Sequence, residues 1–268
     1  MMDLEANAAR FDGLATVYES SRPRPPAVLV DLLCRYAGVE RPEMVVDLGS
    51  GTGLATRLWV GRARTIIGIE PADDMRRLAM AATADLPGGA DVLYRRGYGD
   101  ETGLRPGCAD IVTCCQCLHW MDPQPTFDEV ARILREEGVF AAVDADMTPS
   151  FGTPAEEAFS AMRRRARALE EKLRLTAVKR WDKDGHLGRM AASGRFRFTR
   201  QVTMHQVEPG SGQRLLALAL SFGGVATLLK NGVSEAAFGL DVVRREIAAM
   251  GEEEFPFHWS YTVRLGVK

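Results

Sequence analysis

The sequence predicts an α/β fold, a seven-stranded, mostly parallel sheet with an antiparallel last strand, helices on both faces and a helical insertion before strand six. Three observations carry this. Val45-Val46-Asp47-Leu48 is an apolar run that breaks into Gly49-Ser50-Gly51-Thr52-Gly53, the pattern of a parallel strand buried on both faces entering a tight turn. Further apolar runs at 65–69, 109–113 and 139–143 are separated by helical stretches. Two stretches near the end, Arg195 to Val207 and Phe255 to Val267, alternate with period two and read as an antiparallel pair closing the sheet.

In chain order, Leu4 to Tyr18 places apolar residues at helical spacing and stops before the proline-rich stretch 23–26. Ala27 to Tyr36 is a second helix, ended by Gly38. After the glycine turn, Leu54 to Val60 begins an amphipathic helix whose N-terminus would point at a bound anion. The strand Thr65 to Ile69 ends in Glu70, whose carboxylate can accept both hydroxyls of a ribose. A helix over Asp73 to Ala84, a strand over Asp91 to Arg96, a strand from Ala109, a helix over Pro123 to Leu134 and a strand over Val139 to Val143 follow. Glu156 to Leu175 is a charged helix containing Arg163-Arg164-Arg165-Ala166-Arg167; such a run meets an anionic substrate or forms a solvated face with Glu170 and Glu171. Leu215 to Leu229 is apolar but interrupted at Gly223-Gly224, so it reads as a buried helix pair, short of the ~20 residues of a membrane span. The glycines there allow close approach of a neighbouring element or a substrate. His205 and His258 read as sheet residues.

The spacing of the glycines narrows the ligand. A dinucleotide fingerprint needs a third glycine or an alanine where this chain has Leu54 or, counted from Gly51, Thr56. An acidic residue ahead of GxGxG instead resembles the first motif of class I S-adenosyl-L-methionine-dependent methyltransferases. The likeness continues through Glu70-Pro71-Ala72-Asp73-Asp74-Met75, through Ala109-Asp110-Ile111-Val112-Thr113 with Gln116 to Trp120, and through Arg135-Glu136-Glu137-Gly138-Val139. Phe11, Tyr18 and Arg22-Pro23 are similar to the small-molecule branch of that family, the type 11-like methyltransferases.

The resemblance implies a Rossmann-like fold with S-adenosyl-L-methionine as cofactor. It assigns residues 1–40 to N-terminal helices over the cofactor, 41–148 to the binding core, 149–194 to a helical cap for the substrate, and 195–268 to the part completing the sheet. The implied cofactor residues are Tyr18, Arg22, Asp47, Gly49, Ser50, Gly51, Gly53, Glu70, Pro71, Met75, Gly99, Asp100 and Gln116. Arg22 is suited to the cofactor's carboxylate. Where the family places an aspartate on the adenine, this chain has Tyr98, so Asp100 or the backbone of Tyr98 and Gly99 takes that role. His119 is the candidate catalytic base, since its side chain titrates near neutrality; the alternative is that it orders the loop.

Composition adds exclusions. With 34 basic and 36 acidic residues and a net charge of −2, no bulk charge favours nucleic acid or an anionic membrane as the partner. A small-molecule methyl acceptor and a monomer or homodimer are expected, in the cytoplasm, because Met1 to Arg10 carries no apolar targeting run. Five cysteines, three of them in Cys114-Cys115-Gln116-Cys117, lack metal-ligand pairing and read as reduced core residues. The expected function is methyl transfer to an O, N or C atom. The alternatives are a cofactor-binding protein without transfer activity, acting as a regulator or scaffold, and a nicotinamide oxidoreductase.

Overall fold

The computed structural model describes residues 13–175 and 180–268. Helices α1 (Ala15–Ser21) and α2 (Val28–Ala37) precede strand β1 (Met44–Leu48). Then come β2 (Thr65–Ile69), α3 (Asp73–Ala84), β3 (Val92–Arg95), β4 (Ala109–Cys115), α4 (Pro123–Ile133) and β5 (Leu134–Ala145). The insertion supplies α5 (Pro154–Lys172) and α6 (His186–Ala192) before β6 (Phe198–Gly210). Four helices, α7 (Gly212–Leu220), α8 (Gly223–Lys230), α9 (Glu235–Phe238) and α10 (Leu240–Met250), lead into β7 (Phe255–Val267).

The seven strands form one sheet in the order β3-β2-β1-β4-β5-β7-β6. The first five are parallel, while β7 runs antiparallel to both β5 and β6. Alternate residues of the inner strands serve opposite faces, as period two demands. Val45, Ile66, Ile111 and Val139 pack with α2, α5, α7, α8 and α10, whereas Val46, Ile67, Val112 and Phe140 pack with α4 and α6. Both faces are therefore dry, which is why β1 and β4 carry so few polar residues.

Four boundaries differ from expectation, the first being that β5 already begins at Leu134, so that 135–138, expected as a turn, lie within the strand. After the glycine turn there is no α-helix; Thr56–Trp59 makes one 3-10 turn. The chain has only the stretch 54–64 in which to return to β2, and buried Trp59 and Thr56 hold that turn in place. The anticipated helix N-terminus is thus absent, and loop amides and side chains remain to meet a ligand. Strand β6 starts at Phe198, later than the alternation suggested, because Phe196 turns into the core between Phe127 and Phe140, with ring centroids 5.9 and 5.8 Å away. The break in the apolar helical stretch falls at Ser221-Phe222, ahead of the paired glycines, and α7 and α8 meet at a 71° bend. No single helix among the described residues is long and apolar enough to cross a membrane. Of the anticipated N-terminal helix, residues 4–12 lie outside the described residues, and α1 is its described continuation.

The segment after α1 is tied to the C-terminal half. Arg22 donates through Nε to the Ser221 hydroxyl at 2.9 Å and through Nη2 to the Ser221 carbonyl at 2.8 Å. Its neighbour Arg24 donates its N–H to Glu208 on β6 and accepts at its carbonyl from the Tyr261 hydroxyl on β7.

Candidate functional site

The site starts at the carboxyl ends of β1, β2 and β4, where ligands of open parallel sheets bind. Gly49 and Gly51 hold φ of +60° and +54°. A Cβ on Gly49 would lie 2.8 Å from that of Cys117, so the turn can pass the β4 exit only without a side chain. At Gly51 an added Cβ would meet open space. Ser50 N–H binds the Ile69 carbonyl, and the Glu70 carboxylate accepts from the N–H groups of Gly51 and Ala72, each at 2.9 Å. One acid therefore pins the loop to the end of β2. Burial raises its pKa, while those two N–H bonds oppose the rise.

Behind the loop, Asp47 is buried and accepts from the hydroxyls of Thr56 at 2.6 Å and Thr113 at 2.8 Å. Burial pushes its carboxyl up to about 6, against the pull of those hydroxyls.

Two adjoining cavities border the loop and a third adjoins them. One is bordered by Glu70, Pro71, Met75, Gly97, Tyr98, Gly99, Trp120 and Met121, and a second by Arg22, Asp47, Ser50, Thr52, Ala55 and Met147. They share Tyr18, Gly49, Gly51, Cys115 and Gln116, and so form one crevice running from Glu70 to Arg22. The third, about 720 Å³, lies between the sheet, the insertion and the α7–α8 break. Tyr18 and Gln116 border all three.

Gln116 sits at this junction under strain, with φ of +59°, a region that non-glycine residues rarely adopt. Its surroundings hold it there. The Gln116 N–H reaches the Val143 carbonyl at 2.8 Å, its side-chain amide donates to the Ala145 carbonyl at 2.9 Å, and its Oε1 accepts from Lys183 Nζ at 2.7 Å. Lys183 also pairs with Asp144 at 2.8 Å, which itself binds the buried Arg264 at 2.9 Å. Beside it the Trp181 N–H binds the His119 carbonyl at 2.9 Å, and Arg180 covers the Trp120 ring at 4.7 Å. Residues 180–183 thus dock directly on the turn that leaves β4.

Tyr18, Arg22, Asp47, Gly49, Ser50, Gly51, Glu70, Pro71, Met75, Gly99 and Gln116 all border the crevice. Two anticipated residues do not. Gly53 is needed for a different reason, since a Cβ there would run into the Tyr94 hydroxyl. Asp100 does not reach the crevice, and Tyr98 borders it in its place. His119 opens onto the large cavity and away from the crevice; its Nδ1 is buried with no hydrogen-bond partner among the described residues. Burial, then the nearby charges of Lys183 and Arg180, hold its pKa well below the usual histidine range, so the ring is neutral at physiological pH. Cys115, Cys117, Trp120 and Met121 border the crevice without having been anticipated; as apolar residues beside a turn they give no pattern in sequence that separates lining from core. Among the described residues no group of three or more His, Cys, Asp or Glu is placed to hold a metal ion.

Comparison with known proteins agrees with this architecture. Residues 46–142 match the family model described as a methyltransferase domain. An uncharacterized methyltransferase of Mycobacterium bovis is 34% identical over 128 residues, covering 48% of this chain and 49% of that protein. The chain thus spans about half the length of the curated relatives it matches. Among solved structures, the YcgJ protein of Bacillus subtilis superposes with a TM-score of 0.54 at 18% identity, covering 89% of this chain and 97% of that one. Phosphoethanolamine N-methyltransferase 2 of Haemonchus contortus, solved with phosphomonomethylethanolamine and S-adenosylhomocysteine, gives 0.57 at 15% identity, covering 100% of this chain and 59% of that one. At these identities the structural matches speak for the fold.

Proposed function

We propose that the protein moves a methyl group from S-adenosyl-L-methionine to an O, N or C atom of a small-molecule acceptor, a reading supported by the match of residues 46–142 to a methyltransferase domain. One observation carries the reading: a crevice closed by a glycine turn and an acid at the end of β2 opens, at Tyr18 and Gln116, into a second cavity of about 720 Å³. Two reactants can meet at that junction.

The residues present fit the cofactor. Each Glu70 oxygen takes one backbone N–H and keeps a second lone pair for a ribose hydroxyl. Ser50 and Thr52 border the Arg22 end of the crevice, where the turn's backbone can meet a polar amino-acid group. Arg22 stands at the same end, its guanidinium anchored by Ser221, as a donor for a carboxylate. When bound, the cofactor supplies an activated electrophilic methyl, so the protein's part is mainly alignment and exclusion of water. Tyr18 and Gln116 stand at the approach, Gln116 held there by Ala145 and Lys183. His119 borders the large cavity with a neutral ring that orders the turn leaving β4 or hydrogen-bonds the acceptor; its lowered pKa disfavours taking up a proton.

Calorimetry with S-adenosylhomocysteine tests the first half, with saturable one-to-one binding expected. Incubating extract of the producing cell with the protein and methyl-deuterated S-adenosyl-L-methionine, then seeking a metabolite heavier by one labelled methyl, tests the second. No binding would overturn the proposal. Binding without product across broad acceptor panels would favour a cofactor-binding protein that does not transfer.

A further inference from the structure

Charge in the large cavity is unbalanced. Six cations border it (Arg22, Arg163, Arg164, Arg167, Arg180 and Lys183) against four carboxylates. Some of these cations are matched: Lys183 pairs with Asp144, Arg180 lies 3.5 Å from Glu170, and Arg167 pairs with Glu171 on the exposed side of α5. Arg164 hydrogen-bonds Ser160 on its own helix, Arg163 is met by one exposed carboxylate, and Arg22 by none among the described residues. Arg163 hydrogen-bonds the Thr148 hydroxyl, and its carboxylate neighbour, Asp146, stands 3.7 Å away with its side chain 67% exposed. No carboxylate lies within ion-pair distance of Arg22 among the described residues; its bonds go to Ser221.

Both guanidinium groups rest against one ring, Arg22 at 4.9 Å and Arg163 at 5.0 Å from the centre of Phe222. Burial lowers the pKa of each; at Arg163 the Asp146 carboxylate opposes that lowering and the charge of Arg22 adds to it. Two partly buried like charges beside the same phenyl group are costly without an anion near them, and a planar guanidinium suits a carboxylate or phosphate. Of the two, Arg163 borders only the large cavity, whereas Arg22 also reaches the crevice.

We infer that the occupant of the large cavity carries an anionic group, a carboxylate or a phosphate, and that Arg163, set against Phe222 and Thr148, binds it. Calling that occupant the methyl acceptor rests on the function proposed above; the anion site itself does not. The arginine run of α5 thereby divides its labour: Arg163 turns into the cavity, and Arg165 faces solvent.

The test uses the whole protein saturated with S-adenosylhomocysteine, so that Arg22 is already engaged at the crevice. Succinate and inorganic phosphate are titrated by calorimetry, with the neutral diamide succinamide as the uncharged counterpart. At least one anion should bind saturably, and which one tells carboxylate from phosphate; the diamide should bind at least tenfold more weakly. Arg163→Gln should weaken the preferred anion about tenfold with no change in affinity for S-adenosylhomocysteine, and Arg163→Lys should restore part of the loss. The unchanged affinity and melting temperature also show that the variant is folded. Absence of saturable anion binding, equal binding of the diamide, or an Arg163→Gln variant that binds like the parent would overturn the inference. Should S-adenosylhomocysteine fail to bind, the cofactor assignment falls, and the same titrations on the free protein still decide the anion site.

Discussion

Replacing Gly51 by alanine separates the strain of a backbone from the filling of a space. The residue has φ of +54°, and a new Cβ would touch nothing within 4 Å, so the variant's loss of stability comes from the left-handed conformation alone, about 1–2 kcal/mol. In a chain of this size each kcal/mol shifts Tm by roughly 2–4 °C, which sets the expected fall at roughly 2–8 °C. Gly61 is a matched control: its φ is +74°, an added Cβ again meets nothing within 4 Å, and it does not border the crevice. Gly61→Ala should therefore melt like Gly51→Ala. Binding should part them. The methyl group added at Gly51 projects into space that borders the crevice, and an overpacking penalty of about 1–3 kcal/mol corresponds to roughly 5-fold to 140-fold weaker S-adenosylhomocysteine. Gly61→Ala should bind as the parent does. Calorimetry on both variants supplies the comparison, and equal affinities would refute the placement of the cofactor at this turn.

Glu70→Gln should cost about tenfold or more in S-adenosylhomocysteine affinity, because an amide offers one acceptor oxygen where the carboxylate serves both Gly51 and Ala72; an unchanged calorimetric constant would count against the ribose role. Asp47 has a folded-state pKa near 6 against an ordinary 3.8, so the folded state holds the proton more tightly, and this residue's contribution to stability falls as pH rises from about 4 to 6, by about 3 kcal/mol in all. His186, held down to about 4, tilts the opposite way over the same range, so the informative quantity is the urea-unfolding difference between Asp47→Asn and parent, which should grow in favour of the variant up to pH 6.5. A flat difference would contradict the origin assigned to the shift. Lys183→Met removes the bonds to Gln116 and Asp144, leaves Asp144 with Arg264, and should lower stability by about 1–2 kcal/mol while cutting turnover more than cofactor affinity; thermal melting and single-turnover assays check each part.

Much of the sheet was legible because strands buried on both faces read as unbroken apolar runs, and because β6 and β7 alternate over their length. The glycine turn and Glu70 were legible for a related reason: backbone that passes close to other chain, and an acid ending an apolar strand, leave marks in sequence. What escaped is set by tertiary contact. Nothing in Leu54 to Val60 says that buried Trp59 will end the helix after one turn, and Gly53 answers to Tyr94, a residue on β3. Tyr98 and Asp100 both stand near Gly99, and only the fold decides which borders the crevice. The large cavity was the least legible part, since its wall joins α5, residues 180–184 and the start of α8, which meet only when the insertion folds back over β4 and β5.

The hold of Ser221 on Arg22, and of β6 and β7 on Arg24, means that the crevice is roofed from both ends of the polypeptide. An excised fragment confined to 46–142, the stretch most like other proteins, would keep the floor of the nest and lose its ceiling. In the whole chain, the placing of residues 18–24 at the crevice edge depends on Glu208, Ser221 and Tyr261, which come from the far end of the sequence.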